Sequence, residues 1–100
     1  MKIFIDDVRE CPDGWNLCRT AEQAINLIDK QCVIISEISF DHDLGEGLTG
    51  YDVACFIEKQ IFTGKMKHIP KWKIHSANPV GRQNIERAMK SAETFVLRHF

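Results

Sequence analysis

The feature of this sequence that most constrains its fold is a recurring arrangement: a short β-prone run that stops abruptly at polar, chemically capable side chains. Lys2–Ile5 stops at Asp6-Asp7, Ile38-Ser39-Phe40 runs into Asp41-His42-Asp43, and Trp72–His75 is followed by Ser76-Ala77-Asn78. Helical patterns lie between these runs, and strands that alternate with helices build a mostly parallel sheet. Strands of such a sheet end on the same side, and ligands of an open parallel sheet gather beyond those ends. The sequence therefore predicts that three polar clusters, far apart in the chain, meet at one rim.

The connecting segments carry their own signals. Arg9–Gly14 holds Pro12 and Asp13-Gly14 and reads as a loop with a turn, and Trp15–Arg19 as a weaker second strand. Thr20-x-x-Gln23 is a capping-box pattern, followed by Ala21, Ala24, Ile25 and Ile28 on one apolar face. Gly45, Gly47 and Gly50 mark a loop after Asp43. Thr49-x-x-Asp52 caps a second helix that carries Ala54, Cys55, Ile57 and Ile61 and ends at Gly64. Asn78-Pro79 reads as cap plus first-turn proline of a third helix, with Val80, Ile85, Ala88, Met89 and Ala92 facing inward. Thr94–Leu97 is β-prone and is expected to close the sheet as an edge strand.

Strand parity sorts the side chains. Ile3, Ile5, Ile38, Phe40, Trp72 and Ile74 point one way; Lys2, Phe4, Glu37, Ser39, Lys71 and Lys73 point the other. A sheet covered on both faces would read as continuous hydrophobe. The three helices are thus expected mainly on one face. The other face is left to the loop around Trp15 or to a partner chain, a second copy included, with apolar strand residues such as Phe4 favouring association.

Composition narrows the function classes. The 100 residues fit a single domain spanning 1–100, and a 44% hydrophobic content argues against disorder. The apolar runs are too short to cross a bilayer, and the amino terminus reaches carboxylates too early for an export signal, so the expected setting is cytoplasmic, with no membrane partner. Thirteen basic residues against fourteen acidic ones leave a net charge of −1, so no global field holds the chain on nucleic acid. A local basic stretch (Lys65, Lys67, Lys71, Lys73) is suited at most to weak contact with a nucleic acid backbone. Cys11, Cys18, Cys32 and Cys55 show no CxxC spacing and read mostly as small buried hydrophobes.

The chemistry belongs to the strand ends. Asp6, Asp7, Asp41 and Asp43 at one rim would repel one another strongly, and a bound divalent cation removes that repulsion. All-oxygen ligation suits Mg²⁺ or Mn²⁺, whereas His42 and His75 either recruit a softer metal or serve as proton-transfer groups. The free amides at the start of the third helix, at Asn78, offer a seat for phosphate, with Ser76 and Arg82 as further donors. Each signal also has a structural reading: the acidic pairs as strand stops, Asn78-Pro79 as a cap, Arg9 as a surface partner of Asp7.

Asp6-Asp7 after the first strand, Asp41 after the central one, Gly50 nine residues later and Ser76-Ala77 after the fourth resemble a response-regulator receiver domain. That likeness implies a shortened, flavodoxin-like α/β fold, with a parallel sheet of about five strands and about three helices mainly on one face. It also implies that Asp6, Asp7 and Asp41 hold magnesium, that Asp43 offers a backbone carbonyl to it, that Asp41 accepts a phosphoryl group and that Ser76 contacts phosphate. The chain departs from receivers in lacking the lysine after strand five and the first and last helices, and in carrying His42 and His75. The strings Lys-Ile-Phe-Ile-Asp-Asp, Ser-Phe-Asp-His-Asp-Leu-Gly, Gly-Tyr-Asp-Val-Ala and His-Ser-Ala-Asn-Pro-Val-Gly resemble more closely the cyclic-phosphate-processing receiver domains.

This second resemblance implies a metal-dependent phosphoesterase for cyclic phosphates, on a small molecule or a 2′,3′-cyclic RNA end as in RNA repair. His42, His75 and Asp41 are then the catalytic candidates, and Arg9, Ser76, Asn78 and Arg82 the phosphate-binding ones. The alternatives are a degenerate receiver phosphorylated on Asp41 and a non-catalytic interaction module.

Overall fold

Four short strands and three helices alternate as the punctuation predicts. In the computed structural model, which describes residues 1–100, they are β1 (Lys2–Ile5), β2 (Asn16–Cys18), α1 (Ala21–Gln31), β3 (Glu37–Phe40), α2 (Gly50–Phe62), β4 (Lys71–Ile74) and α3 (Pro79–His99). The helix starts follow local chemistry. The Thr20 hydroxyl accepts from the Gln23 amide at 3.1 Å, and the Asp52 carboxylate accepts from the Thr49 amide at 2.7 Å. Asn78 Oδ1 accepts from the Gly81 amide at 3.0 Å, with Pro79 directly after the cap. Each bond satisfies an amide that the first helical turn leaves without a partner.

The sheet is wholly parallel, in the order β2-β1-β3-β4. From β2 to β3 and from β3 to β4 the chain steps in the same direction across it. Right-handed crossovers then place α1 and α2 on the same face, and α3 packs alongside α2. Ile3, Ile5, Ile38 and Phe40 are fully buried beneath these helices with Ile28, Val53, Ile57, Ile61, Ile85 and Met89. The step from β1 to β2 runs the opposite way and contains no helix. The opposite face therefore carries no helical layer, as the strand parity predicts. Its cover is Trp15, whose ring meets Phe4 edge-on at a centroid distance of 6.3 Å.

One expectation is corrected. Thr94–Leu97 is not a fifth strand; α3 continues unbroken to His99. No Gly or Pro follows Gly81 to stop the helix, and an α-to-β connection needs a loop that Ala92–Thr94 cannot supply. The inward stripe of Ile85, Ala88, Met89 and Ala92 simply extends to Phe95 and Val96 at helical spacing. The sheet thus ends at β4. Of the four free cysteines only Cys18 is buried; Cys11, Cys32 and Cys55 are partly exposed. No helix is long and apolar enough to cross a membrane.

Candidate functional site at the strand ends

Asp6 is the first residue past β1, and its side chain is completely enclosed. It turns the chain out of the strand: Oδ1 accepts the amides of Val8 at 2.9 Å and Arg9 at 2.7 Å. Its other oxygen, Oδ2, lies 2.9 Å from His75 Nε2 at the end of β4. Burial alone would raise the Asp6 pKa. The amides of Arg9 and Val8, with His75, outweigh it and hold the carboxyl below its ordinary range. Asp41, one residue past β3, is driven the opposite way. Burial and then the negative charge of Asp6 raise its pKa, against smaller lowering contributions from the His42 amide, His75 and the Ser76 hydroxyl. Two carboxylates at one rim thus differ in proton affinity, Asp6 staying ionised while Asp41 binds a proton more readily.

His75 is fixed on three sides. Nε2 meets Asp6, Nδ1 meets the Ser39 hydroxyl at 2.7 Å, and the ring stacks on Phe4 at 4.6 Å and 3°. In the neutral ring, Nε2–H donates to the carboxylate and Nδ1 accepts the Ser39 proton; in the imidazolium both nitrogens donate. Asp6, Asp41 and His75 form one group whose donor atoms all lie within 4.8 Å of each other. The clusters that close β1, β3 and β4 are therefore joined in space. Asp6 is fully buried, the His75 side chain is 16% exposed and Asp41 is half-buried, so the group presents only a narrow surface to solvent.

The remaining candidates surround this group. Asp7 is half-exposed and stands outside the three-residue cluster, its Oδ2 being 3.9 Å from where a Cβ on Gly45 would lie. Asp43 is exposed; it accepts from His42 Nδ1 at 3.1 Å and faces the Asn78 amide group at 3.4 Å. His42 lies toward the helices, its ring against Gly81 of α3, where a Cβ would stand 2.2 Å from Cγ. Gly50 has the same role for the backbone, since a Cβ there would fall 1.9 Å from the Asp41 carbonyl oxygen. Ser76 is buried and its Oγ accepts the Asn78 amide at 3.1 Å.

Arg9 and Arg82 hold the end of β4 from two directions. Arg9 donates to the His75 carbonyl at 2.9 Å, and Arg82 to those of Ile74 at 2.8 Å and Ser76 at 3.1 Å. Arg19 ties the turn after β1 by donating to the carbonyls of Asp6 at 3.3 Å and Arg9 at 2.8 Å.

Sequence reasoning overlooked three residues here: Ser39, Phe4 and Arg19. A signal existed for the first two, because a hydroxyl in the middle of an apolar strand and a phenyl ring both share the parity of the face on which His75 stands.

This rim can be set beside known proteins. A family model described as the cyclic-phosphate processing receiver domain matches residues 1–91. The chain belongs to that family. No curated protein and no solved structure matches it. The match includes every residue of the rim, from Asp6 to Arg82, and stops within α3. Within the matched span Asp41 is the first residue past β3, and α1, α2 and α3 cover one face of the sheet.

Proposed function

We propose that this domain is a divalent-metal-dependent phosphoesterase that opens cyclic phosphates, with 2′,3′-cyclic RNA ends as the substrate class. The observation that carries the reading is the meeting of Asp6, Asp41 and His75 at one rim, in a member of the cyclic-phosphate processing family. The donor set fits a hard cation. Asp6 and Asp41 offer carboxylate oxygens, and the charge of Asp6 already raises the Asp41 pKa, a repulsion that Mg²⁺ or Mn²⁺ would relieve. Asp7 and Asp43, at the margin, add negative potential around it. Such an ion, when bound, polarises phosphoryl oxygens and acidifies water.

Hydrolysis forms a bond from water oxygen to phosphorus and breaks one ring P–O bond. Water loses a proton and the departing ribose oxygen gains one. His75 is assigned the proton-handling role at the cluster, because its ring is held in place by Asp6 and Ser39, one at each nitrogen. His42 is the candidate for the second transfer. Ser76, the Asn78 amide group and the start of α3 are the anion-facing donors. Arg9 and Arg82 keep spare N–H groups beyond those spent on backbone carbonyls.

The test is incubation of the purified domain with 2′,3′-cyclic mononucleotides and Mg²⁺ or Mn²⁺. Turnover that chelation abolishes is expected, with His75→Ala slower by about 10²–10⁴-fold and Asp41→Asn inactive. No turnover with any of the four nucleotides and either metal overturns the reading.

A second reading, phosphorylation of Asp41, is favoured by the placement of Asp41 directly after β3, beside Asp6 and His75. Intact mass after treatment with a small phosphodonor separates the two, since a labile phosphoryl adduct on Asp41 would select it. The helical state of Thr94–Leu97, where a fifth strand was expected, weighs against it.

A further inference from the structure

We propose that the helix-free face of the sheet seats the single-stranded RNA to which the cyclic end belongs, with a base against Trp15 and the backbone phosphates on Lys2 and Lys73. The inference rests on the reading above for where the strand terminates, at His75. The binding surface is carried by separate observations.

The first is what the face displays. Leu17, Phe4, Ser39 and Lys73 stand in one register row across all four strands, and Lys2, Glu37 and Lys71 in another. Lys2, Lys71 and Lys73 are exposed, and none of them forms an ion pair. Three ammonium groups against Glu37 leave the face positive in a chain whose overall charge is slightly negative. The second half of the basic stretch is therefore gathered here, while Lys65 and Lys67 lie in the connection before β4.

The second is the arrangement about Trp15. Its half-exposed ring lies 5.5 Å from Lys2 Nζ and 5.0 Å from Lys73 Nζ. Both ammonium groups lie over the indole in cation–π contact, so a base can stack there once the lysines swing from the ring to the neighbouring phosphates. Single-strand binders use that combination, because every base has a π face and every linkage a charge.

The third is continuity with the rim. Trp15 touches Phe4, and Phe4 stacks on His75. The aromatic run leads from the middle of the face to the proposed reacting end. A duplex would keep its bases from Trp15; a single strand would not.

The experiment uses the full chain and a short, fluorescently labelled single-stranded uridine oligomer with plain hydroxyl ends and no divalent ion. This probe cannot be turned over, so its binding is independent of hydrolysis. Anisotropy should show saturable binding that weakens with salt, as expected when phosphates are neutralised by lysine. Trp15→Ala should weaken it about tenfold, in keeping with the loss of one stacked base. The double variant Lys2→Gln, Lys73→Gln, which alters exposed side chains only, should weaken it at least as much and flatten the salt dependence. It also serves if Trp15→Ala fails a circular dichroism check of folding.

Tryptophan fluorescence should be quenched by the unlabelled oligomer in the native chain and not in Trp15→Phe, because Trp72 packs on the helical side and donates to Glu93. The proposal is overturned by any of four results: no binding at millimolar protein, unchanged affinity in the lysine variant, equal affinity for duplex RNA or anionic vesicles, or a sedimentation profile in which a second copy occupies the face. Binding as described without turnover of cyclic mononucleotides would sink the catalytic reading and leave this one standing. Turnover without oligomer binding would do the reverse.

Discussion

The two faces of the sheet are built on different physics. On the helical side, β1 and β3 place Ile3, Ile5, Ile38 and Phe40 out of reach of water under three helices. On the other side, the same strands bury Phe4 and Ser39 beneath little more than an indole, an imidazole and the stems of lysines. The helical face supplies most of the apolar burial that stabilises the fold. The open face is free to carry chemistry, since its residues are not needed to fill a core. The difference teaches where to look for function: His75, Phe4 and Ser39 touch one another there, whereas His42, turned toward α3, is packed against a glycine.

The comparison can be broken most severely at Gly50, which has no space for a side chain beside the Asp41 carbonyl. Gly50→Val should unfold the domain or displace the loop that carries Asp41, read as loss of the cooperative thermal transition. Next, Ile38→Ala on the helical face should lower stability by about 2–5 kcal/mol in urea titration. Phe4→Ala on the open face should lower it by about 1–3 kcal/mol, because only one thin layer covers the ring, yet it should impair catalysis more than Ile38→Ala does. An equal loss of stability at the two positions would erase the distinction between the faces. Lys73→Gln should shift stability by no more than about 0.5 kcal/mol.

The pH response of the two carboxyls is also small, and its sign separates them. Asp6, held below its ordinary range, contributes stability that is present above the unfolded pKa and lost as acid protonates the folded form. Asp41, raised, does the opposite: its contribution is present below the unfolded pKa of about 3.9 and disappears as pH climbs through its folded value. Asp41→Asn should therefore raise metal-free stability near neutrality by under about 1 kcal/mol, a figure kept small by solvent screening. It should also remove the gain expected from Asp41 on mild acidification. A variant that loses stability at neutral pH would mean that Asp6 and Asp41 do not repel.

Much of this was legible in the chain, for reasons that differ by element. Caps and glycines are local signals, so Thr20, Asn78-Pro79 and Gly64 marked their boundaries directly. Parity along a strand is also local, and it foretold the helix-free face. The rim was readable because parallel topology turns strand ends into neighbours, which makes Asp6 and His75 partners across most of the sequence. The parity of Ser39 was legible, but its partner was not, because the bond to His75 exists only once an imidazole from another strand lies beside it. Arg9 and Arg82 suggested anion binding by residue type, and the structure shows each already engaged with carbonyls at the end of β4. The end of α3 misled through composition: Thr94, Phe95 and Val96 favour strands as isolated residues, but a helix already under way and packed on α2 overrides that preference.

In the order β2-β1-β3-β4, β4 is a border of the sheet whose outer side pairs with no strand and is capped at Ile74 by Arg82. Such borders recruit stray polypeptide, and the growth of one molecule onto the next is the usual hazard. This border is only four residues long, and alternate positions are lysines. Two chains approaching side by side there would bring like charges together, so Lys71 and Lys73 oppose growth of the sheet from one molecule onto the next.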